Sequence, residues 1–132
     1  MLRQGPVPAF IHGAIEYAAG VLFIAAPFVL GFDAGAATAV SILVGLALLI
    51  VAATTEGRTG LIAVIPVIAH VVLDFALAGF LVAAPFLFGF ADEGAPTAFF
   101  ITLGVGHLLV TIGTRFVAPA SVEPSRSPPR AS

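Results

Sequence analysis

The chain has 132 residues, of which 60% are hydrophobic and 9% charged, with a net charge of -2. Soluble domains carry about 25% charged residues, so the composition argues against a soluble fold, and the weak negative charge leaves no basic surface for nucleic acid. There is no cysteine, which removes disulfides, thiolate nucleophiles and Cys-ligated zinc or iron-sulfur centres.

The first apolar segment runs from about Pro8 to Phe32 and ends in the turn Asp33-Ala34-Gly35; the second runs from Ala36 to Ala53. A polar loop, Thr54 to Gly60, follows. The third segment runs from about Pro66 to Phe90, the turn Ala91-Asp92-Glu93-Gly94 comes next, and the fourth covers Pro96 to about Thr114. A hydrocarbon core about 30 Å thick needs about 20 apolar residues per helix, and each segment is of that order. The runs are about twice the length of a membrane strand and do not alternate polar with apolar residues, so a β-barrel is a poor fit. The expected fold is all-α, a polytopic membrane protein of four transmembrane helices. Residues 117–132 are rich in Pro and Ser with almost no large apolar side chain, which predicts a disordered tail.

An internal repeat organises the chain. A shift of 58 residues lays Pro8–Phe32 on Pro66–Phe90 without a gap, with HGAIEYAAGVLFIAAPFVLGF over HVVLDFALAGFLVAAPFLFGF. His12/His70, Pro27/Pro85, Phe28/Phe86, Gly31/Gly89 and Phe32/Phe90 are identical pairs, and Glu16/Asp74 is a conservative one. With one residue added in the turn, Ala36–Glu56 aligns with Ala95–Arg115, matching Gly45/Gly104 and Thr55/Thr114. The unit is therefore a helix hairpin, and two tandem copies of even crossing number enter from the same side as parallel repeats. The expected organisation is an N-terminal segment 1–7, a first repeat 8–56, a linker 57–65, a second repeat 66–116 and the tail 117–132. Because the first segment has a twin in mid-chain, it is expected to be retained and not cleaved as a leader.

Four crossings put the N-terminus, the linker and the tail on one side, and all five basic residues, Arg3, Arg58, Arg115, Arg126 and Arg130, fall there. The positive-inside rule makes that side cytoplasmic. Pro27 and Pro85 each remove an amide donor near the far end of a helix, which frees the carbonyls of Phe23 and Leu81. Such carbonyls must face protein in lipid, so the prolines are expected inside the bundle, with Gly31 and Gly89 ending the helices.

The segment AAPFVLGF and its copy AAPFLFGF resemble the signature of the SPW repeat family, small bacterial and archaeal membrane proteins built of two-helix units. Ala26-Pro27-Phe28 and Ala84-Pro85-Phe86 take the places of Ser-Pro-Trp, followed by Leu30-Gly31-Phe32 and Phe88-Gly89-Phe90. The resemblance spans about Pro8 to Phe116 and implies the two-hairpin architecture and a place in the bacterial inner membrane, with no activity attached.

The residues left to carry chemistry are His12 with Glu16, and His70 with Asp74, each pair four apart on one helix face. Three readings fit them: an interfacial His–acid pair, a proton or ion site, and a divalent metal site. Counting about 18 residues back from Phe32 and Phe90 puts the membrane boundary at Ile15 and Leu73. That depth favours the interfacial pair, so no metal and no cofactor are assigned. His107 should lie deeper, leaning away from Glu16 and Asp74 and bonding a neighbour such as Ser41 or Thr102. The expected function is a small non-enzymatic membrane protein, a scaffold or accessory subunit. Its partners would be the lipid bilayer and either a second copy or a larger membrane complex. The alternative is a proton- or ion-coupled transporter using Glu16, Asp74 and His107.

Overall fold

The structure, a computed structural model, describes residues 5–116; the expected disordered tail lies outside them. Four helices follow one another: α1 (Ala9–Val29), α2 (Gly35–Thr54), α3 (Val67–Leu87) and α4 (Gly94–Gly113). Each has 20 or 21 residues, hence about 30 Å at 1.5 Å per residue, which matches a hydrocarbon core. All four are long and apolar enough to cross a membrane. The exterior is apolar as lipid requires, with Val21, Leu43, Ile50, Val72 and Leu109 exposed, while His12, Glu16, His70 and Asp74 are buried.

Prolines set the helix boundaries. α1 and α3 start directly after Pro8 and Pro66, both extended (φ -65°, ψ 144° and φ -60°, ψ 146°); the missing amide there is one that a helix start leaves unpaired in any case. At the far ends Gly31 and Gly89 take φ of 64° and 70°, a conformation open to glycine without Cβ strain. The next amides, of Phe32 and Phe90, then fold back onto the carbonyls of Pro27 and Pro85, each at 2.9 Å. Helices α1 and α3 thus stop three residues short of the expected Phe32 and Phe90.

Pro27 and Pro85 lie inside their helices and are buried. The carbonyl freed at Phe23 accepts a 2.6 Å hydrogen bond from the Ser41 hydroxyl of α2. Ser41 is therefore not a partner of His107. At the matching place in α4 stands Phe100, fully buried.

Lipid tails are as apolar as the side chains, so packing and hydrogen bonds hold the helices together. In the first hairpin the backbones nearly touch: a Cβ on Gly45 would lie 2.5 Å from the Gly20 carbonyl oxygen. The second hairpin has Ala78 where the first has Gly20, and a Cβ on Gly104 would meet the Leu81 and Val82 side chains at 3.0 Å. Between the hairpins, the half of the bundle next to the turns is filled by rings in edge-to-face contact. Phe23–Phe99 (4.9 Å) and Phe23–Phe100 (5.5 Å) cross between the hairpins, and Phe90–Phe100 (5.2 Å) extends the cluster within the second hairpin. Phe28 and Phe86 instead point outward, 73% and 66% exposed.

Two clasps complete the two-fold pattern. β1 (Val7–Pro8) pairs in parallel with β2 (Thr114–Arg115), Val7 opposite Thr114. Thr55 bridges Ile65 in the same sense, and these are the repeat equivalents. The chain entering each hairpin is thereby tied to the chain leaving the other. At the turn end the Glu93 carboxylate accepts the amides of Asp33 and Ala34 (3.0 Å for Ala34) at the start of α2, a contact with no counterpart from Ala34, the N-cap residue of α2 as Glu93 is of α4.

Candidate functional site

Glu16 is the eighth residue of α1 and Asp74 the eighth of α3, so each lies about 10 Å in from its helix start. His107 is the seventh residue from the end of α4, about 9 Å in from the same end of the bundle. All three occupy one level. This corrects the expected depths: the count from Phe32 and Phe90 began three residues beyond the true helix ends and placed both acids at the boundary.

At that level the two His–acid pairs face each other and close into a ring. His12 Nε2 lies 3.2 Å from Asp74 Oδ2 and 3.6 Å from Glu16 Oε1; His70 Nε2 lies 3.2 Å from Glu16 Oε1 and 3.4 Å from Asp74 Oδ2. The shorter contacts cross between hairpins. All four side chains are no more than about 4% exposed. His107 Nε2 stands 3.5 Å from the other Asp74 oxygen, Oδ1, so the expectation that it turns away from the acids is wrong. The backward tilt of a helical Cβ is small beside the lateral reach of an imidazole whose neighbour is at its own height.

Two threonines fix the rings. His12 Nδ1 is 2.9 Å from Thr114 Oγ1, and His70 Nδ1 is 2.9 Å from Thr55 Oγ1. Each hydroxyl already donates its single proton at 2.6 Å to a carbonyl four residues back, of Val110 and Val51. It must therefore accept from the imidazole, which places the Nδ1 proton on both rings. Both Nε2 atoms then turn toward the carboxylates. Sequence reasoning missed this role, although the matched pair Thr55/Thr114 is its signal. The exchange is reciprocal, since each hairpin's threonine holds the other hairpin's histidine.

A cavity of about 530 Å³ reaches the ring from the arginine-bearing end, with His12, Glu16 and His70 on its floor and Glu56, Arg58 and Arg115 on its walls. Thr59 of the linker closes over one flank, its carbonyl accepting a 2.9 Å bond from Tyr17. Arg58 is held at the rim with its guanidinium 5.4 Å above the Phe10 ring, and Phe116 packs edge-on at 5.1 Å against His12. Toward the turns the way is filled by the phenylalanine cluster.

Among the described residues, His12 Nε2, Glu16 Oε1, Asp74 Oδ2 and His107 Nε2 are buried without a hydrogen-bond partner. Of these, His107 Nε2 faces the outer oxygen of Asp74; His12 Nε2, Glu16 Oε1 and Asp74 Oδ2 carry lone pairs and converge with His70 Nε2, all four residues being buried. Such a group is stable only with positive charge added to it. The arrangement is one that can accept a cation.

Four membrane-length helices in two like hairpins define an integral membrane protein of the tandem-repeat type. Residues 10–117 match the family model of the SPW repeat domain, and the chain belongs to that family. No curated protein and no solved structure matches the chain.

Proposed function

We propose that this is a small non-enzymatic accessory protein of the bacterial inner membrane whose two hairpins are clasped by a bound cation at the His12–Glu16–His70–Asp74 ring. The observation that carries this reading is the alternation of the ring: the two 3.2 Å contacts run between hairpins, and the two longer ones lie within them. Positive charge placed there adds to the ties the hairpins already share, the aromatic rings, the two strand clasps, the threonine–histidine bonds and the Glu93 contact. Arg58 and Arg115 line the mouth of the cavity, and the preference of arginine for the inner leaflet side orients that mouth and both termini to the cytoplasm. Access from one side, with aromatic packing on the other, favours binding over conduction.

The test uses the absence of native cysteine. Pro8→Cys with Arg115→Cys, a pair in register across β1 and β2, reports the docking of one hairpin on the other. Glu16→Gln combined with Asp74→Asn should slow that cross-link several-fold and leave helical content intact; an unchanged rate would remove the clasp. Proteoliposomes of the wild type should show no cation flux above protein-free vesicles. Flux that those two substitutions abolish would establish the transporter reading in its place, with Glu16, Asp74 and His107 as its ionisable path.

A further inference from the structure

We propose that the cation is a divalent first-row transition metal ion, zinc foremost, coordinated by His12 Nε2, His70 Nε2, Glu16 Oε1 and Asp74 Oδ2. This deepens the clasp reading above and rests on it. The first ground is distance. Were the charge carried by protons on the imidazoles, each Nε2–H would draw one carboxylate oxygen in to about 2.7–2.9 Å. The four contacts are 3.2, 3.2, 3.4 and 3.6 Å. Zinc binds imidazole nitrogen and carboxylate oxygen at about 2.0–2.2 Å, and a tetrahedron of that radius has edges of roughly 3.3–3.6 Å. The one donor atom taken from each residue lies within 4.8 Å of all the others.

The second ground is the fixing of the rings. A metal-binding histidine needs its free nitrogen aimed at the ion and its other N–H held by an outer partner. Thr114 and Thr55 supply that partner, and their hydroxyl protons are already committed to Val110 and Val51. The third ground is charge and donor type. Two carboxylates and a divalent ion sum to zero inside the bundle, and a mixed imidazole–carboxylate set suits zinc or iron better than magnesium or calcium. His107, facing the second oxygen of Asp74 at 3.5 Å, is placed to orient that carboxylate and not to bind the ion. Two guanidinium groups against the one carboxylate of Glu56 on the cavity walls leave the way in net positive, which suits a resident ion better than a transported one.

Untagged full-length protein in detergent, stripped with a chelator, is titrated with Zn²⁺ and separately with Co²⁺, whose visible absorption reports four-coordinate geometry. One equivalent of each and a tetrahedral Co²⁺ spectrum are expected. Glu16→Gln and His70→Gln should each weaken binding by more than about 100-fold, and Thr114→Val by about 10–100-fold, while Asp92→Asn in the exposed turn leaves it unchanged. A folded, monodisperse wild type that takes up far less than one equivalent of either ion overturns the metal. If the hairpin cross-link still depends on Glu16 and Asp74 in that case, the metal assignment alone falls and protons supply the charge. If it does not, the clasp falls as well.

Discussion

The two hairpins share the residues that build the ring and those that end α1 and α3, and differ in how each holds its own two helices together. His, acid, Pro, Gly and the terminal Thr recur at matched positions. The first hairpin, by contrast, has Gly20, Ser41 and Leu48 where the second has Ala78, Phe100 and His107. The first is drawn together by backbone contact at Gly45 and by the Ser41 bond to the carbonyl that Pro27 frees. The second keeps a looser backbone approach, with the Ala78 oxygen 3.2 Å from a Cβ on Gly104, lacks the serine bond, and gains a third imidazole on Asp74, a buried ring at Phe100, and the Glu93 reach to the start of α2. The ring therefore demands two-fold likeness, whereas closeness within a hairpin can be met by different means on each side.

Three substitution pairs probe that division. The largest effect is expected at the acids. Removing one partner from a buried charge cluster costs about 3–5 kcal/mol, and Asp74 faces three imidazoles where Glu16 faces two. Asp74→Asn should then lower the thermal midpoint in detergent more than Glu16→Gln does; adding His107→Leu, which restores the residue at the matching place of the first repeat, should bring the two losses together. Equal losses with His107 present would show that the third imidazole contributes nothing.

Next come the small residues. Gly45→Ala drives a methyl into the Gly20 carbonyl, a backbone atom that cannot swing aside, at about 1–3 kcal/mol. Gly104→Ala meets the Leu81 and Val82 side chains at 3.0 Å and the Ala78 carbonyl oxygen at 3.2 Å, against 2.5 Å for the Gly20 oxygen at Gly45, and should cost less. Unfolding in mixed micelles with increasing SDS reads both, and a larger loss at Gly104 would reverse the account of the two interfaces. The smallest effect is expected at Glu93. Glu93→Gln removes the negative charge from the start of α2 and should cost about 0.3–1 kcal/mol, fading as salt rises; Asp92→Asn, exposed in the same turn, should do nothing measurable.

The sequence carried the architecture well because its signals are long and redundant. Four apolar runs of membrane length, repeated in register, leave few other folds, and the SPW resemblance placed on the Ala-Pro-Phe segments agrees with the match over residues 10–117. The site was legible as two His–acid pairs and no further. Spacing by four shows that His12 and Glu16 share a face, but not that this face meets the same face of the other repeat. The depth error at Glu16 and Asp74 came from where α1 and α3 end, which the positive φ of Gly31 and Gly89 decides. His107 was misread because a direction along one helix was used to judge a distance between two. Spacing alone gives two separate pairs at a boundary, which are ordinary, whereas the structure gives four donors converging in the interior.

The reciprocity of the threonines reaches beyond this chain. Since Thr55 serves His70 and Thr114 serves His12, one hairpin alone contains neither half of the centre in working order. A protein holding a single unit would complete it only as a two-fold homodimer, at a rate set by encounter between copies. Fusing two units in one polypeptide makes that assembly independent of concentration, and it frees each copy to drift wherever symmetry is not required, as Ser41 and Phe100 have done.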